Sequence, residues 1–290
     1  MYRINSKTIF PIAAIFFVVF FALAVVTKGH GFTDYDFALI TIASFTFGIF
    51  ITFSILNNQD KLNKVNELLK THDSTFLLLY KLSGEFDERI TDKCRELIDQ
   101  QLIDEIDYRL VDFNKSSKSY YQLYDYLTGL EPKTEKQDVV YDKMLDILDD
   151  TAKARQEVEV LTRQKISIYE WFSIITLLGL VCFLVLRINT GTILSSLLIS
   201  VLATTMVVLT LLLQMLNNLR WQESTQIWEP LHNLFLNLDL LPYYPDGVIE
   251  LDRYVPKGPG KIRVAKYPKP YPDMTGKTIE VFDITDFAKS

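Results

Sequence analysis

Cysteine is scarce in this sequence. The two residues are Cys94, in a charged helical stretch, and Cys182, inside a long apolar run. Environments so different do not pair, so both read as ordinary buried thiols. Histidine is as thin: His30, His72 and His232 are scattered over a loop, a helix and the C-terminal part. No paired His or Cys spacing suits a metal, and neither a phosphate-cradling Gly loop nor a nucleophile motif occurs. The carboxylates at Asp99, Asp104, Glu105 and Asp107 read as the solvated face of a helix. An enzyme is not expected, nor a cofactor or metal. Basic charge is in deficit, with 30 Lys and Arg against 36 Asp and Glu, which argues against nucleic acid as a partner.

Apolar residues are plentiful and clumped. Four long runs carry few charges: TIFPIAAIFFVVFFALAVV from Thr8, ALITIASFTFGIFITFSIL from Ala38, WFSIITLLGLVCFLVL from Trp171 and ILSSLLISVLATTMVVLTLLLQM from Ile193. Each is near the length that crosses a hydrocarbon core of roughly 30 Å as a helix. No Asp, Glu, Lys, Arg or His lies deep in any of them, which weighs against a proton pump or an ion-driven transporter. The first run follows Arg3 and Lys7, and Ala22-Leu23-Ala24 near its end resembles the cleavage site of a secretory signal. Its apolar core is too long for one, so it is read as a retained anchor.

The fold class expected is an all-α membrane protein. Four transmembrane helices carry a cytoplasmic helical bundle between spans 2 and 3, and a small tail containing a β-hairpin follows. The divisions are residues 1–56, the first transmembrane hairpin; 57–165, the bundle; 166–217, the second transmembrane hairpin; 218–244, an interfacial helix; and 245–290, the tail. Lys and Arg set the orientation. Arg3, Lys7, Lys61, Lys64, Arg163, Lys165 and Arg220 flank one side of the spans, while Lys28 and Arg187 fall on the other. Both termini and the middle segment are then cytoplasmic, in the cell (inner) membrane. Tyr35, Tyr169 and Trp171 stand at span ends, where amphipathic rings favour the interface.

The second span passes without Gly or Pro into NNQDKLNKVNELLKTHDSTFLLLY, so one helix is expected from Phe37 to Tyr80. Leu62, Val65, Leu69, His72, Phe76 and Leu79 share one face of it. Within the bundle a helix is expected from about Phe86 to Phe113 and a shorter one around YYQLYDYL from Tyr120, ended by Gly129 and Pro132. A last helix carries Val140, Met144, Ile147, Thr151, Ala154, Val158 and Leu161 in heptad order and is expected to enter the third span unbroken. Such a stripe serves core packing, or, as a second reading, an oligomeric coiled coil. WQESTQIWEPLHNLFLNLDLLPYY mixes Trp221, Trp228, Leu231, Leu234, Phe235 and Leu238 with polar residues, as a helix lying on the membrane or on the bundle would. KIRVAKY and KTIEVFDI around PKPYPDMTG are expected as two short strands.

In the second span Thr41, Ser44, Gly48 and Thr52 recur at steps of three and four. Small residues of this kind let a neighbouring helix approach closely. Hydroxyls beside bulky apolar rings also suit the lining of a pore with a dewetting constriction.

Two spans, a helical insert, two more spans and IWEPLHNLFLNLDLLP together resemble the bacterial bestrophin-like four-span membrane protein family. The span running into SILNNQDKLNKVNELL is similar to that family's span followed by a polar, charged helix, and the likeness covers about residues 8–242. The resemblance implies a homo-oligomeric passive ion channel in the lipid bilayer, conducting small ions with some preference for anions. The second span would line its pore, with Thr41, Ser44, Phe45, Gly48, Ile51, Thr52 and Ile55 as candidate positions. Two other classes share the topology. One is a stator-like subunit of an ion-driven motor, whose partner chain would supply the missing ionisable residue. The other is a non-conducting membrane sensor or scaffold.

Overall fold

The computed structural model describes residues 6–27, 29, 33–217, 228–249 and 260–284. Arg3, Lys28, His30, Arg220 and Trp221, invoked above, lie outside the described residues. The chain divides into two compact units: Met1–Leu62 with Lys165–Arg220, and Asn63–Gln164 with Trp221–Ser290.

The first unit holds the four apolar runs, each helical: α1 (Ser6–Val26), α2 (Asp34–Ser83, whose later part belongs to the second unit), α6 (Ile168–Arg187) and α7 (Ile193–Asn217). All four are long and apolar enough to cross a membrane. Helix α1 packs along α7, and α6 packs on α7 as well. The buried face of α7 includes Ser196, Ser200 and Ala203, small residues that let backbones come close where lipid supplies no hydrophobic drive between helices. Phe47 and Ile51 of α2 join Ile174, Val181 and Leu184 of α6 and Ile199, Met206 and Leu213 of α7 in one apolar core. Outward stand Ile15, Val18, Val25, Phe172, Phe183 and Leu198, a surface suited to hydrocarbon. Tyr35 and Tyr169 are exposed at span ends.

One link holds the ends of two helix pairs together. Asn189 donates its side-chain amide to the carbonyls of Ala24 and Thr27 at the end of α1. Gly29 lies against the same place: a Cβ there would sit 2.3 Å from the Arg187 carbonyl oxygen and 2.5 Å from that of Asn189, so no larger residue fits.

The second unit is built on the later part of α2 with α3 (Glu88–Asp107), α4 (Ser117–Thr128), α5 (Glu135–Arg163) and α8 (Trp228–Asn237). Local signals set the helix ends. Asp87 accepts from the Ile90 amide to cap α3, and Thr134 accepts from that of Gln137 to cap α5. Phe76, Leu79, Cys94, Ile98, Leu102, Leu123, Leu127, Met144 and Leu148 form the core. Burial pushes the Cys94 thiol up to about 12, as expected of an inert apolar cysteine. Helix α8 adds Leu234 and Phe235 to this core, followed by Leu238. Burying each contributes about 2 kcal/mol, so these residues hold the segment on the bundle.

Three expectations about the bundle helices need correction. The second bundle helix stops at Asp107, not Phe113, because Tyr108 and Arg109 are extended and a 3-10 segment, Leu110–Ser116, follows. Tyr271 from the tail meets the break, its hydroxyl accepting from the Arg109 amide at 3.3 Å and donating to Asp112. The last bundle helix does not run into the third span. Gln164 leaves helical geometry and Ser167 caps α6 by accepting from the Glu170 amide, while Asn217 accepts from the Ile166 amide at 2.9 Å. Third, the heptad positions Val140, Ile147 and Leu161 only flank the buried face of α5, which is Met144, Leu148, Thr151, Arg155, Val158 and Thr162.

The tail forms β1 (Tyr243–Pro245), the short helix α9 (Asp246–Ile249), β2 (Lys261–Lys266) and β3 (Thr278–Asp283). Strands β2 and β3 are the expected antiparallel hairpin, with Ile262 opposite Phe282. Strand β1 adds in parallel to β2, with Tyr243 opposite Arg263, which three residues of sequence did not announce.

The tail is held by carboxylates read above as solvated. Asp99 takes both terminal nitrogens of Arg263 at 2.7 and 2.6 Å. Asp107, 4 % exposed, accepts from Tyr243 and Tyr267 at 2.6 Å each and pairs with Lys277. Glu105 pairs with the buried Arg155, whose guanidinium also donates to Ser116 at 3.0 Å and lies over the rings of Phe113 and Tyr120. Asp104 hydrogen-bonds Gln100 on its own helix. The correction has one physical cause: Asp99, Glu105 and Asp107 each meet a cation or hydroxyl far away in sequence, and only Asp104 keeps to its own helix.

Candidate pore-lining face of the second span

A helix turns 100° per residue, so residues three and four apart share a face. On α2 the inward face is Ala43, Phe47, Ile51, Ser54 and Asn58, all buried. The opposite side carries Ile42, Phe45, Ile49, Phe53 and Leu56, all exposed. Between them Ser44, Phe45, Gly48, Ile49, Thr52 and Phe53 line a shallow open groove.

Of the seven candidate positions, Thr41, Phe45 and Thr52 are exposed and Ser44 and Gly48 half-exposed. Ser44, Phe45, Gly48 and Thr52 meet in the groove, and Thr41 lies one turn before it, its hydroxyl donating to the Phe37 carbonyl at 2.8 Å. Ile51 does not join them. It is 2 % exposed and packs with α6 and α7 in the core of its own unit. Ile55 is half-buried against the same core and against Leu62 and Leu216. Ile51, offered with the stripe through the family resemblance, has instead the phase of Phe47 and Ser54, while Ile55, seven residues after Gly48, keeps the phase of the stripe but is turned against the core. Sequence reasoning passed over Ile49 and Phe53, whose signal was their step of four from Phe45 and Ile49.

Gly48 discriminates between the two roles of small residues. A Cβ built on it meets nothing within 4 Å among the described residues, so none of the described helices of the chain fills the gap. The face offers hydroxyls, a glycine gap and aromatic rings, with no ionisable side chain. Groups of this kind can replace part of an ion's hydration without holding it, as conduction requires.

The inward face is anchored by polar groups near both ends. Ser54 donates its hydroxyl to Glu170 of α6 at 2.5 Å, and Asn58 donates its amide to the Ser54 carbonyl at 2.8 Å. Toward the other end, Asp36 accepts from the Thr33 hydroxyl at 2.5 Å and lies 3.4 Å from Arg187 of α6. Sequence reasoning missed these partners, although Ser167-Ile168-Tyr169-Glu170 has the spacing of a helix-capping box.

The fold is that of a membrane protein with four candidate spans and a helical second unit. A family model described as the Bestrophin-like domain matches residues 8–219. The chain belongs to the bestrophin-like family, which is of the ion-channel kind rather than a family of enzymes. The match ends before α8 and the sheet. No curated protein and no solved structure matches the chain.

Proposed function

We propose that the chain is one subunit of a homo-oligomeric passive ion channel in which copies of α2 surround the conduction path. Thr41, Ser44, Phe45, Gly48 and Thr52 line it, joined by Ile49 and Phe53, and no catalytic chemistry is involved. The observation that carries this reading is the uncovered stripe of hydroxyls and Gly48 on the outward side of a span, where hydrocarbon would gain nothing from it. Some preference for anions follows from family analogy. The channel lies in the cell (inner) membrane with both termini and residues 57–165 cytoplasmic, as the Lys and Arg bias supports.

Purified protein in liposomes should pass ions down a gradient. Phe45→Ala, which removes a bulky ring, should raise the flux, and Thr52→Ala, which removes a hydroxyl, should change the relative permeability of ions. Silence in both liposome flux and planar-bilayer recordings would overturn the proposal. Labelling near Lys118 by reagents added outside intact cells would overturn the orientation.

A further inference from the structure

We infer that the Ser54–Glu170 hydrogen bond, assisted by the Asp36–Arg187 pair, sets the rotation of α2 about its own axis, making Ser54 and Glu170 positioning residues for the conduction path. The effect on conduction rests on the reading of α2 as the pore helix; the rotational setting itself does not.

The need for such a device follows from composition. Between Phe37 and Leu56 the helix is apolar nearly all round, with Phe47 and Ile51 inward and Phe45, Ile49, Phe50 and Phe53 outward. In hydrocarbon, apolar side chains gain little by facing another helix instead of lipid. Turning α2 by one residue would exchange Ile51 for Phe50 or Thr52 at modest cost, so packing specifies the angle weakly. A polar contact specifies it strongly, because the alternative angle leaves a carboxylate facing a phenyl ring.

Several hydroxyls of the spans make the contrast plain. Those of Thr41, Ser173, Ser200, Thr205 and Thr210 each turn back on their own helix, to a carbonyl four residues earlier. Ser54 instead donates across to another helix, to a charged acceptor, and hydrogen bonds to ionised groups are about twice as strong as neutral ones. The two contacts also stand far apart: Asp36 and Ser54 are separated by about 27 Å along α2, and Glu170 and Arg187 by about 25 Å along α6. Fixing the apolar part of α2 at two such points fixes the angle of the stretch between them. The five outward candidates then keep their face because Ser54, two residues from Thr52, cannot leave Glu170.

The test combines conduction with thiol labelling of reconstituted protein. Glu170→Ala and Ser54→Ala should each change unitary conductance or permeability ratio several-fold, and the double variant should do no more than either alone, since both remove one bond. Glu170→Gln keeps an acceptor for the Ser54 hydroxyl without the charge and should behave like the unaltered protein. If Glu170→Gln matches Glu170→Ala, or the two effects add, the bond is not the device and the inference falls. In a Cys182→Ser background, Thr52→Cys should label quickly and Ile51→Cys slowly with a membrane-impermeant thiol reagent, and Glu170→Ala should narrow that difference. An unchanged labelling ratio overturns the inference even in a channel that conducts. A silent channel whose ratio narrows overturns the proposed function and leaves the inference standing.

Discussion

Carboxylates are used differently in the two units. In the unit of the spans, Asp36 meets the partly exposed Arg187 at the start of α2, and Glu170 meets one serine near the end of its apolar part. In the unit of residues 63–164 and 221–290, Glu105 and Asp107 are largely enclosed among several partners: Arg155 and Gln101 for the first, Tyr243, Tyr267 and Lys277 for the second. Surroundings explain the contrast. A span has hydrocarbon along its length, so a charge is tolerable near its ends. A packed helical unit can enclose a charge wherever a partner arrives from another element. Charge in the first unit therefore aligns helices, and in the second it joins segments remote in sequence.

The comparison breaks most sharply at Arg155. Arg155→Ala leaves Glu105 buried without its cation and should cost about 3–5 kcal/mol, read as a lower thermal midpoint and faster proteolysis of the second unit. Replacing both, as Arg155→Met with Glu105→Leu, should recover most of that loss, because no charge is then stranded. Asp107→Ala comes next. It removes the acceptor of the buried Tyr243 and the half-buried Tyr267 and the partner of Lys277, and should cost about 2–3 kcal/mol. Hydrogen exchange of residues 261–283 should accelerate while that of the spans stays unchanged. Asp36→Asn is the matching change among the spans. Arg187 is 51 % exposed, so the loss should stay within about 1 kcal/mol; an equal loss at Asp36 and Asp107 would erase the distinction between the units.

Much of the fold was legible because it depends on period and length. The four runs, the continuity of α2 past Leu56, the end of α4 at Gly129 and the β2–β3 hairpin follow from local sequence. What was illegible depends on pairing across the chain. Nothing near Asp107 announces Tyr243, Tyr267 or Lys277, and a charge four residues from other charges looks like a solvated face until its partner is known. Arg155 sat one residue from the apparent heptad position at Ala154 and was passed over for the same reason. The break at 164–167 had a local signal in Ser167 and Glu170, masked by apolar phases that happen to match on either side. The candidate pore face was legible as a stripe, but its edge was not. Whether Ile51 belongs to it depends on the angle of α2, which is settled by Ser54 and Glu170, 116 residues apart.

Two smaller effects sharpen the picture. Gly29→Ala would drive a methyl group into the Arg187 and Asn189 carbonyls and should cost about 1–3 kcal/mol by overpacking, measured as thermal stability in detergent. The least effect should come from acid. The hydroxyl of Tyr271, then the Lys115 ammonium, holds the Asp112 carboxyl below its ordinary range. A depressed carboxylate lends stability above its unfolded pKa of about 3.9 and loses it as pH falls through the lower folded value. Tyr271→Phe should therefore weaken attachment of the tail at neutral pH by about 1 kcal/mol or less, and the difference between the two proteins should shrink below pH 4. Hydrogen exchange around Asp112 at both pH values reads this directly.

The docking of the sheet bears on how shortened versions of the protein will behave. A chain trimmed to the matched stretch, residues 8–219, keeps Asp99, Asp107 and Asp112 but discards Arg263, Lys277, Tyr243, Tyr267 and Tyr271. Three anions would then crowd the end of α3 beside an apolar scar where Phe235 and Leu238 had been. Such a fragment should be sticky and salt-sensitive, so poor recovery of it from detergent would speak of an unclothed surface and carry no information on whether the spans conduct.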